Sequence, residues 1–528
     1  MRQAVAVLAV FAALLATGSV ALAAGPAYAG WGGLRPGPYA VGFQPILARD
    51  QSRTFDSPRD ADGAPNQREV ARPVQILVWY PASPAAEAAH VPFADYVALS
   101  AREIDFGPLD DAARAAKLEA FVALPAAQGI PADTVRALLA APTAAIAAAP
   151  RAEGTFPLVL YAAGLSGSAF ENSILCEYLA SHGYVVAAVP SIGAEGRAMT
   201  PDMIGAEAQT RDMAFALATL RDYPYADARD VAVVGYSFGG LADVMLATRD
   251  ARVAALVSLD GSILHLDAAE RADARLDPNR LRVPSLFFVG AGSERPDFDP
   301  AFFRALKYSD ARLLRLPRME HRDFTSQHVV LFELLPADQR GTRGGDPRLG
   351  FETAAQYARR FLDATLKGNA EARAFIDGSP DGLGLPAGFA RLESRRAVPA
   401  PPTEGQFLDL LERGGVQRAR EALRKVKLVD PQWQVFREAT MEALGRALLA
   451  ENRVAEAAEA FRLNAEAYPD SADAAASLGE ALAREGKAKE AEESFRSALV
   501  LLRRDERTPA AYKEQFRRRL LDAIAKLK

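Results

Sequence analysis

The chain has 528 residues, half of them apolar, so it is too long for one ordinary domain and too apolar for a disordered protein. Its 62 basic and 67 acidic side chains are scattered, the formal net charge is -5, and no basic cluster suggests a nucleic-acid partner. The one cysteine, Cys176, excludes an internal disulfide. We expect two or three cored domains and a small, neutral or weakly charged substrate.

The first 29 residues have the pattern of a signal peptide. Arg2 precedes a run rich in Ala, Val and Leu, and small residues at the cleavage positions allow processing after Ala23 or after Ala29. The alternative is an uncleaved membrane anchor, although the apolar run is shorter than a bilayer usually requires. We therefore expect an exported protein, periplasmic or extracellular, with no integral membrane segment after cleavage.

Predicted strands and helices alternate through residues 34–396, the first predicted domain. A Pro-, Gly- and Arg-rich segment at 34–62 is expected to be irregular. Apolar, β-branched runs then indicate strands buried on both faces, and the helical patterns between them favour a mostly parallel sheet in an α/β fold. The predicted strands are 74–80, 158–162, 185–189, 231–235, 254–259, 285–290 and 312–316, with helices at 172–181 and 206–221 among those between them.

Residues 93–149 interrupt this alternation. The segment is Ala-rich and helical in period, with breaks at Pro125, Pro131 and Pro142, which predicts an inserted helical cap over the α/β domain. Inserted segments of this kind often form lids, but a surface excursion without a role in substrate access is equally compatible with the pattern.

A Pro-rich linker, 397–402, precedes an all-helical region at 403–528. Within that region Gly445 aligns with Gly479, and Phe461 aligns with Phe495, at the 34-residue period of tetratricopeptide repeats. Small residues let paired helices approach closely, and the aromatic positions fill the seam between them. A more degenerate earlier copy brings the repeats to three, the usual minimum for a stable stack, so this domain is a candidate site for a protein partner.

The sequence GYSFGG places Ser237 directly after a predicted buried strand and directly before a predicted helix. In this context a G-x-S-x-G pattern indicates a strained turn that exposes a nucleophilic serine, and the flanking glycines leave room for the backbones to close in. The tetrahedral oxyanion requires two backbone N–H donors. We predict Phe238, the residue after the nucleophile, and Leu165, in the Gly-rich loop after an earlier strand.

The serine requires a base, and His321 is the candidate because it follows the last predicted strand, where a loop would carry it over the nucleophile. His328 lies in a predicted helix and is expected to have a structural role. For the triad acid, Asp260 ends one strand and Glu294 follows the next. Placement alone leaves these two carboxylates open.

Ordered motifs along residues 36–366 resemble those of bacterial relatives of the platelet-activating factor acetylhydrolases, in the dienelactone hydrolase-like branch of the α/β-hydrolases. The motifs are GPYAVGF, LVWYPA, AGLSGSAFENSILCEYLASHGYVVAAV, GYSFGG, LDGS and EHRDF.

The resemblance implies that Asp260, in LDGS, is the acid, that His321, in EHRDF, is the base, and that Leu165 and Phe238 supply the oxyanion donors. One departure is an alanine before Gly164, where these relatives usually have histidine.

Together these features predict hydrolysis of carboxylic esters, with short acyl chains or lipid-like esters as substrates and no cofactor or metal. Hydrolysis of amides or peptides by the same triad is the alternative enzyme. A different alternative is a binding scaffold whose repeats recruit a partner while the hydrolase body is degenerate.

Overall fold

The computed structural model describes residues 30–55, 70–84, 89–196, 198–295, 298–340, 346–431, 433–505 and 508–527. The predicted signal peptide and its cleavage sites lie outside these residues. The chain divides into two compact units, Met1–Val398 and Pro399–Lys528. Every helix in the described ranges is too short or too polar to cross a bilayer.

The first unit is built on a mixed sheet. In its described part the strands are β1 (Ala40–Thr54), β2 (Ala71–Ala82), β3 (His90–Pro92), β4 (Pro142–Ala147), β5 (Phe156–Ala162), β6 (Val185–Val189), β7 (Ala226–Tyr236), β8 (Val253–Leu259), β9 (Ser285–Val289), β10 (Ala311–Arg315) and β11 (Arg391–Arg395). The helices are α1 (Phe93–Leu99), α2 (Asp111–Ala127), α3 (Ala132–Ala140), α4 (Ser173–Ser181), α5 (Met203–Leu220), α6 (Gly239–Ala247), α7 (Ala268–Arg271), α8 (Ala301–Ala305), α9 (Ser326–Leu334), α10 (Pro347–Leu366) and α11 (Ala370–Asp377).

The strands lie in the order β11-β10-β9-β8-β7-β5-β6-β2-β1-β4-β3. Strands β5 to β10 form one continuous parallel block. Antiparallel pairs flank this block, with β2 against β6 on one side and β11 against β10 on the other. The predicted mostly parallel α/β architecture is therefore confirmed, and all seven predicted strands are present, with each end no more than five residues from its predicted position.

The expectation of irregular structure at 34–62 was wrong for β1. Residues Ala40–Thr54 pair antiparallel with β2, in continuous register from Ala40 opposite Ala82 to Asp50 opposite Arg72. Only part of β1 is buried, so its sequence lacks the continuous apolar run that identified the central strands. Pairing with β2, which is buried along almost its whole length, stabilises β1 as a strand although its own sequence does not indicate one.

The insertion is helical through α1, α2 and α3, but helix was the wrong prediction for its last part. Residues Pro142–Ala147 form β4, which pairs in parallel with β1. Alanine favours helix intrinsically, yet tertiary pairing at the sheet overrides that preference. The insertion helices pack into the domain core, where Val122, Val135 and Leu139 are buried.

Two apolar layers cover the two faces of the sheet. One layer contains α4, α10 and the insertion helices, and the other contains α5, α6 and α8. The central strands are therefore buried on both faces, as their continuous apolar sequences predict.

A buried carboxyl group on α4 joins three segments of this unit. Glu177 accepts hydrogen bonds from Trp31 Nε1 at 3.0 Å, from the Tyr96 hydroxyl at 2.8 Å and from the Ala144 backbone N–H at 3.3 Å. Burial raises the pKa of Glu177 to about 7, because desolvation penalises the carboxylate more than these hydrogen bonds favour it. The network therefore connects the N-terminal segment, α1 and β4 to α4.

The free energy of unfolding should fall as pH rises from about 5 to about 8, because Glu177, whose pKa is higher in the folded state than in the unfolded state, stabilises the fold only while it is protonated. Glu177→Gln should make this fall in the free energy of unfolding smaller, by about 3 kcal/mol or less. The amide oxygen can still accept from Trp31 and Ala144, and its NH2 group can donate to the Tyr96 oxygen. Chemical unfolding at several pH values measures this effect, and a variant curve parallel to the wild-type curve would contradict it.

The second unit contains α12 (Glu404–Val429), α13 (Glu438–Ala450), α14 (Val454–Ala467), α15 (Ala472–Arg484), α16 (Ala488–Arg504) and α17 (Ala510–Ala525). Helix α12 bends at Gly415, whose φ is 75°.

Equivalent close approaches recur 34 residues apart in this unit. A Cβ atom on Gly445 would collide with the Phe461 ring, and one on Gly479 would lie 2.6 Å from Phe495 Cε1. Both phenylalanines are buried. Glycine therefore lets α13 approach α14, and α15 approach α16, at corresponding positions, while the tetratricopeptide assignment itself stays a prediction.

Candidate active site

Ser237 occupies a sharp turn between β7 and α6, at the carboxyl edge of the parallel block. Its backbone φ is 53°, in the left-handed region that residues other than glycine rarely adopt. The turn is crowded on both sides: a Cβ on Gly235 would lie 2.6 Å from the Gly239 carbonyl carbon, and one on Gly239 would lie 2.8 Å from that of Ala162. The glycines of G-x-S-x-G are therefore required by backbone contact.

The structure brings Ser237, His321 and Asp260 together. His321 Nε2 lies 2.8 Å from Ser237 Oγ, and His321 Nδ1 lies 2.7 Å from Asp260 Oδ2. Asp260 follows β8 and is buried, whereas His321 begins the 3-10 helix His321–Phe324 after β10 and keeps 52% of its side chain exposed. The hydrogen-bonded chain is one in which an imidazole can accept the serine proton while the carboxylate fixes the tautomer.

Asp260 is held as a carboxylate. Burial alone would raise its pKa, but interactions with His265 and His321 and the Gly290 backbone N–H, which donates at 3.1 Å to Oδ1, lower the pKa to about 2. His265 Nε2 stands 3.7 Å from the same oxygen. The acid therefore carries the negative charge that stabilises a protonated imidazole.

Two further contacts orient the His321 segment. The Tyr236 ring stacks on the imidazole, with centroids 5.0 Å apart and planes inclined by 27°. Asp323, fully buried, accepts the Glu320 backbone N–H at 2.7 Å in a capping box. His328 Nε2 lies 3.4 Å from Asp323 Oδ1, and its structural role stays a prediction.

The predicted oxyanion donors lie on two segments that meet beside Ser237. A Cβ on Gly164 would lie 3.4 Å from Ser237 Cβ, which brings the loop 163–172 (the oxyanion loop) against the turn. The Gly167 N–H donates to the Gly164 carbonyl at 2.7 Å and tightens this loop. Among the described residues, the N–H groups of Leu165 and Phe238 have no intramolecular acceptor, so both remain available to an oxyanion.

Sequence reasoning missed the side chain that fixes this loop. Glu171 Oε1 accepts the Gly164 N–H at 2.8 Å and the Tyr161 hydroxyl at 2.9 Å. Burial raises the pKa of Glu171 to about 7, although both hydrogen bonds oppose that rise. This chain therefore holds the oxyanion loop through a carboxyl group from the turn that precedes α4.

Asn172, the next residue, connects the same segment to the loop that carries the base. Its Nδ2 donates to the Phe324 carbonyl at 3.0 Å, and its Oδ1 accepts the Ser326 N–H at 3.0 Å. The signal was present in the sequence, since Glu171 and Asn172 are polar residues directly before an apolar helix. Single-sequence reasoning assigns such residues to capping and cannot identify a distant partner.

Glu294, the alternative acid, is not brought to the site. It lies exposed on the turn Ala291–Glu294 after β9, and its Oε1 is 3.5 Å from Arg391 Nη1. The structure therefore places the carboxylate of Asp260, and not that of Glu294, against His321.

The parallel sheet, the serine turn and the order of the three side chains define an α/β-hydrolase. A family model described as Chlorophyllase matches residues 125–273, a segment that contains Ser237 and Asp260 but not His321. A ferulic acid esterase structure from Streptomyces cinnamoneus aligns with a TM-score of 0.47 and 22% identity, over 68% of this chain and 97% of that chain. No curated protein matches the sequence.

Asp260→Asn should slow phosphonylation of Ser237 by a fluorophosphonate by about 10³-fold or more, because the neutral amide cannot hold the imidazole tautomer or stabilise its charge. Glu294→Gln is the matched control and should react at the wild-type rate. Labelling rates measured by intact mass compare the two variants. A larger loss in Glu294→Gln would reverse the assignment of the acid.

Proposed function

We propose that this chain hydrolyses carboxylic esters through an acyl-enzyme on Ser237. The observation that carries the proposal is the continuous chain from Asp260 through His321 to the serine hydroxyl, next to two available backbone N–H groups. The match of residues 125–273 to the Chlorophyllase family model supports an ester substrate.

In the first half-reaction, His321 Nε2 accepts the proton of Ser237 as Oγ attacks the ester carbonyl carbon. The negative charge that develops on the carbonyl oxygen is stabilised by the N–H groups of Leu165 and Phe238, while Asp260 balances the imidazolium. The C–O bond to the alcohol then breaks, and His321 donates its proton to the departing oxygen.

In the second half-reaction, a water molecule gives a proton to His321 and attacks the acyl carbon. The bond to Ser237 Oγ breaks, the serine recovers its proton, and the carboxylic acid leaves. The half-exposed imidazole leaves a route by which water reaches the acyl-enzyme.

The resemblance to platelet-activating factor acetylhydrolases supports short-chain or lipid-like acyl groups as the finer substrate class. Export through the N-terminal segment and docking of a protein partner by the repeat region complete this proposal. An amidase or peptidase with the same triad is distinguished by comparing p-nitrophenyl esters with p-nitroanilides. The scaffold alternative is disfavoured because a decayed hydrolase has no constraint to keep these three side chains in hydrogen-bonding geometry.

Ser237→Ala should lose about 10⁶-fold in kcat toward p-nitrophenyl acetate, because no nucleophile remains. Ser83→Ala is the control, since Ser83 follows β2, whose antiparallel orientation places it at the opposite edge of the sheet. Steady-state hydrolysis and circular dichroism compare the variants. Activity retained by a folded Ser237→Ala protein would reject the mechanism.

A further inference from the structure

A second histidine, His265, lies against the triad acid. Its Nε2 is 3.7 Å from Asp260 Oδ1, whereas the other carboxylate oxygen, Oδ2, is 2.7 Å from His321 Nδ1. One carboxylate therefore stands between two imidazoles, with one ring at each oxygen. The steps proposed above use only the ring at Oδ2.

His265 reaches the acid from a segment different from the one that carries the base. It follows a 3-10 helix, Ser262–Leu264, and its backbone N–H donates at 2.9 Å to the carbonyl of the first residue of that helix. A Cβ on Gly292 would lie 3.6 Å from His265 Cε1, and the centroid of the Phe298 ring lies 5.5 Å from that of the imidazole. These contacts place the ring beside the acid without enclosing it, since 39% of the His265 side chain is exposed.

The acid depends on its surroundings for its orientation. Asp260 has a backbone φ of 46°, in the left-handed region that is unfavourable for a residue with a side chain. Its Oδ1 accepts the Gly290 N–H at 3.1 Å, and a carboxylate oxygen has room for a second donor. The 3.7 Å to His265 Nε2 exceeds a normal hydrogen bond by about 1 Å, and distances of this kind shorten as a transition state forms. His265 is therefore placed to be the second donor.

The shared carboxylate connects the proton uptake of the two imidazoles. Histidine is the side chain that ordinarily changes its charge between about pH 5 and 8. Asp260 favours a proton on either ring, while a proton on one ring disfavours a proton on the other, so the two rings titrate as a pair. The state of His265 therefore affects how much of the negative charge of Asp260 is available to His321.

The other elements packed against His265 carry two further charged groups. Arg315 of β10 lies over the Phe298 ring, 5.3 Å from its centroid. Glu294 lies in the turn after β9, and its Oε1 is 3.5 Å from Arg391 Nη1. Among the described residues, the triad acid is the carboxylate that forms an ion pair with His265 when the ring is protonated.

We propose that His265 is a positioning residue of the triad, which holds Asp260 through Oδ1 in the orientation that His321 requires and couples its own proton uptake to that of His321. The inference rests on the proposed ester hydrolysis at Ser237. His265 acts through the acid, because it meets the carboxylate on the oxygen that does not face the base.

The first test separates kcat from KM with p-nitrophenyl acetate. His265→Leu removes the donor and should lower kcat by about tenfold while KM stays within about twofold, because the acid is held less firmly and no substrate contact is lost. His265→Gln, whose NH2 group can donate to Oδ1, should keep kcat within about threefold of wild type. Equal kcat in wild type and His265→Leu, or a glutamine variant as slow as the leucine variant, would overturn the positioning role.

The second test follows kcat/KM between about pH 5 and 8, which reports ionisations of the free enzyme. The acid limb should lose one ionisation in both His265 variants, because only His321 then titrates beside Asp260. Glu171 is present in every variant, so its own titration does not affect the comparison. An acid limb of the same shape in wild type and both variants would overturn the coupling.

His182→Gln is the matched control for both tests. His182 follows α4 and precedes β6, at the amino ends of the parallel strands, so its loss removes an imidazole from the opposite edge of the sheet. This variant should keep the wild-type kcat and the wild-type acid limb. The same changes in His182→Gln as in His265→Gln would overturn the assignment to His265.

Labelling of Ser237 by a fluorophosphonate separates this inference from the proposed function, because it requires the triad but no ester turnover. His265→Leu should slow labelling by about tenfold. An unchanged labelling rate in that variant would overturn the role of His265 alone. Wild type that labels at Ser237 yet hydrolyses no ester would overturn the proposed function alone, and folded wild type that does neither would overturn both.

Discussion

The left-handed backbone of Ser237 is the constraint on which the site depends. Such a conformation costs about 1–3 kcal/mol in a residue with a side chain, so the surrounding structure has to compensate. The Ser237 N–H donates to the Leu259 carbonyl at 3.1 Å. The Ser237 carbonyl accepts hydrogen bonds from the N–H groups of Gly240 at 3.0 Å and Ser262 at 2.8 Å. These bonds connect the turn to both ends of the segment that carries Asp260. Nucleophile and acid are therefore positioned by one backbone arrangement.

The rest of the machinery is fixed from the other side, at the start of α4. Glu171 holds the oxyanion loop, and Asn172 holds the segment that carries His321. Two consecutive residues therefore position the predicted oxyanion donors and the base. Both depend on a helix that is buried along its whole length. Rigid support of this kind keeps catalytic groups within the small tolerance that reaction geometry requires.

Elements with strong local patterns could be predicted from the sequence, whereas elements defined by distant partners could not. The central strands and the turn at Ser237 carry continuous apolar runs and obligatory glycines, which are local signals. Placement left Asp260 and Glu294 open because each of them follows a predicted strand of the parallel block, and only the three-dimensional approach of Asp260 to His321 separates them. The role of Glu171 depends on contacts with Gly164 and Tyr161 that no local pattern encodes.

The proposed acyl group on Ser237 can be trapped directly. A p-nitrophenyl ester of a bulky acid, such as trimethylacetic acid, should acylate faster than it deacylates, so acid quenching and peptide mapping by mass spectrometry can locate the acyl group. One trimethylacetyl group per chain should appear on the peptide that contains Ser237. Release of p-nitrophenol without any acylated peptide, or with the acyl group on another residue, would contradict it.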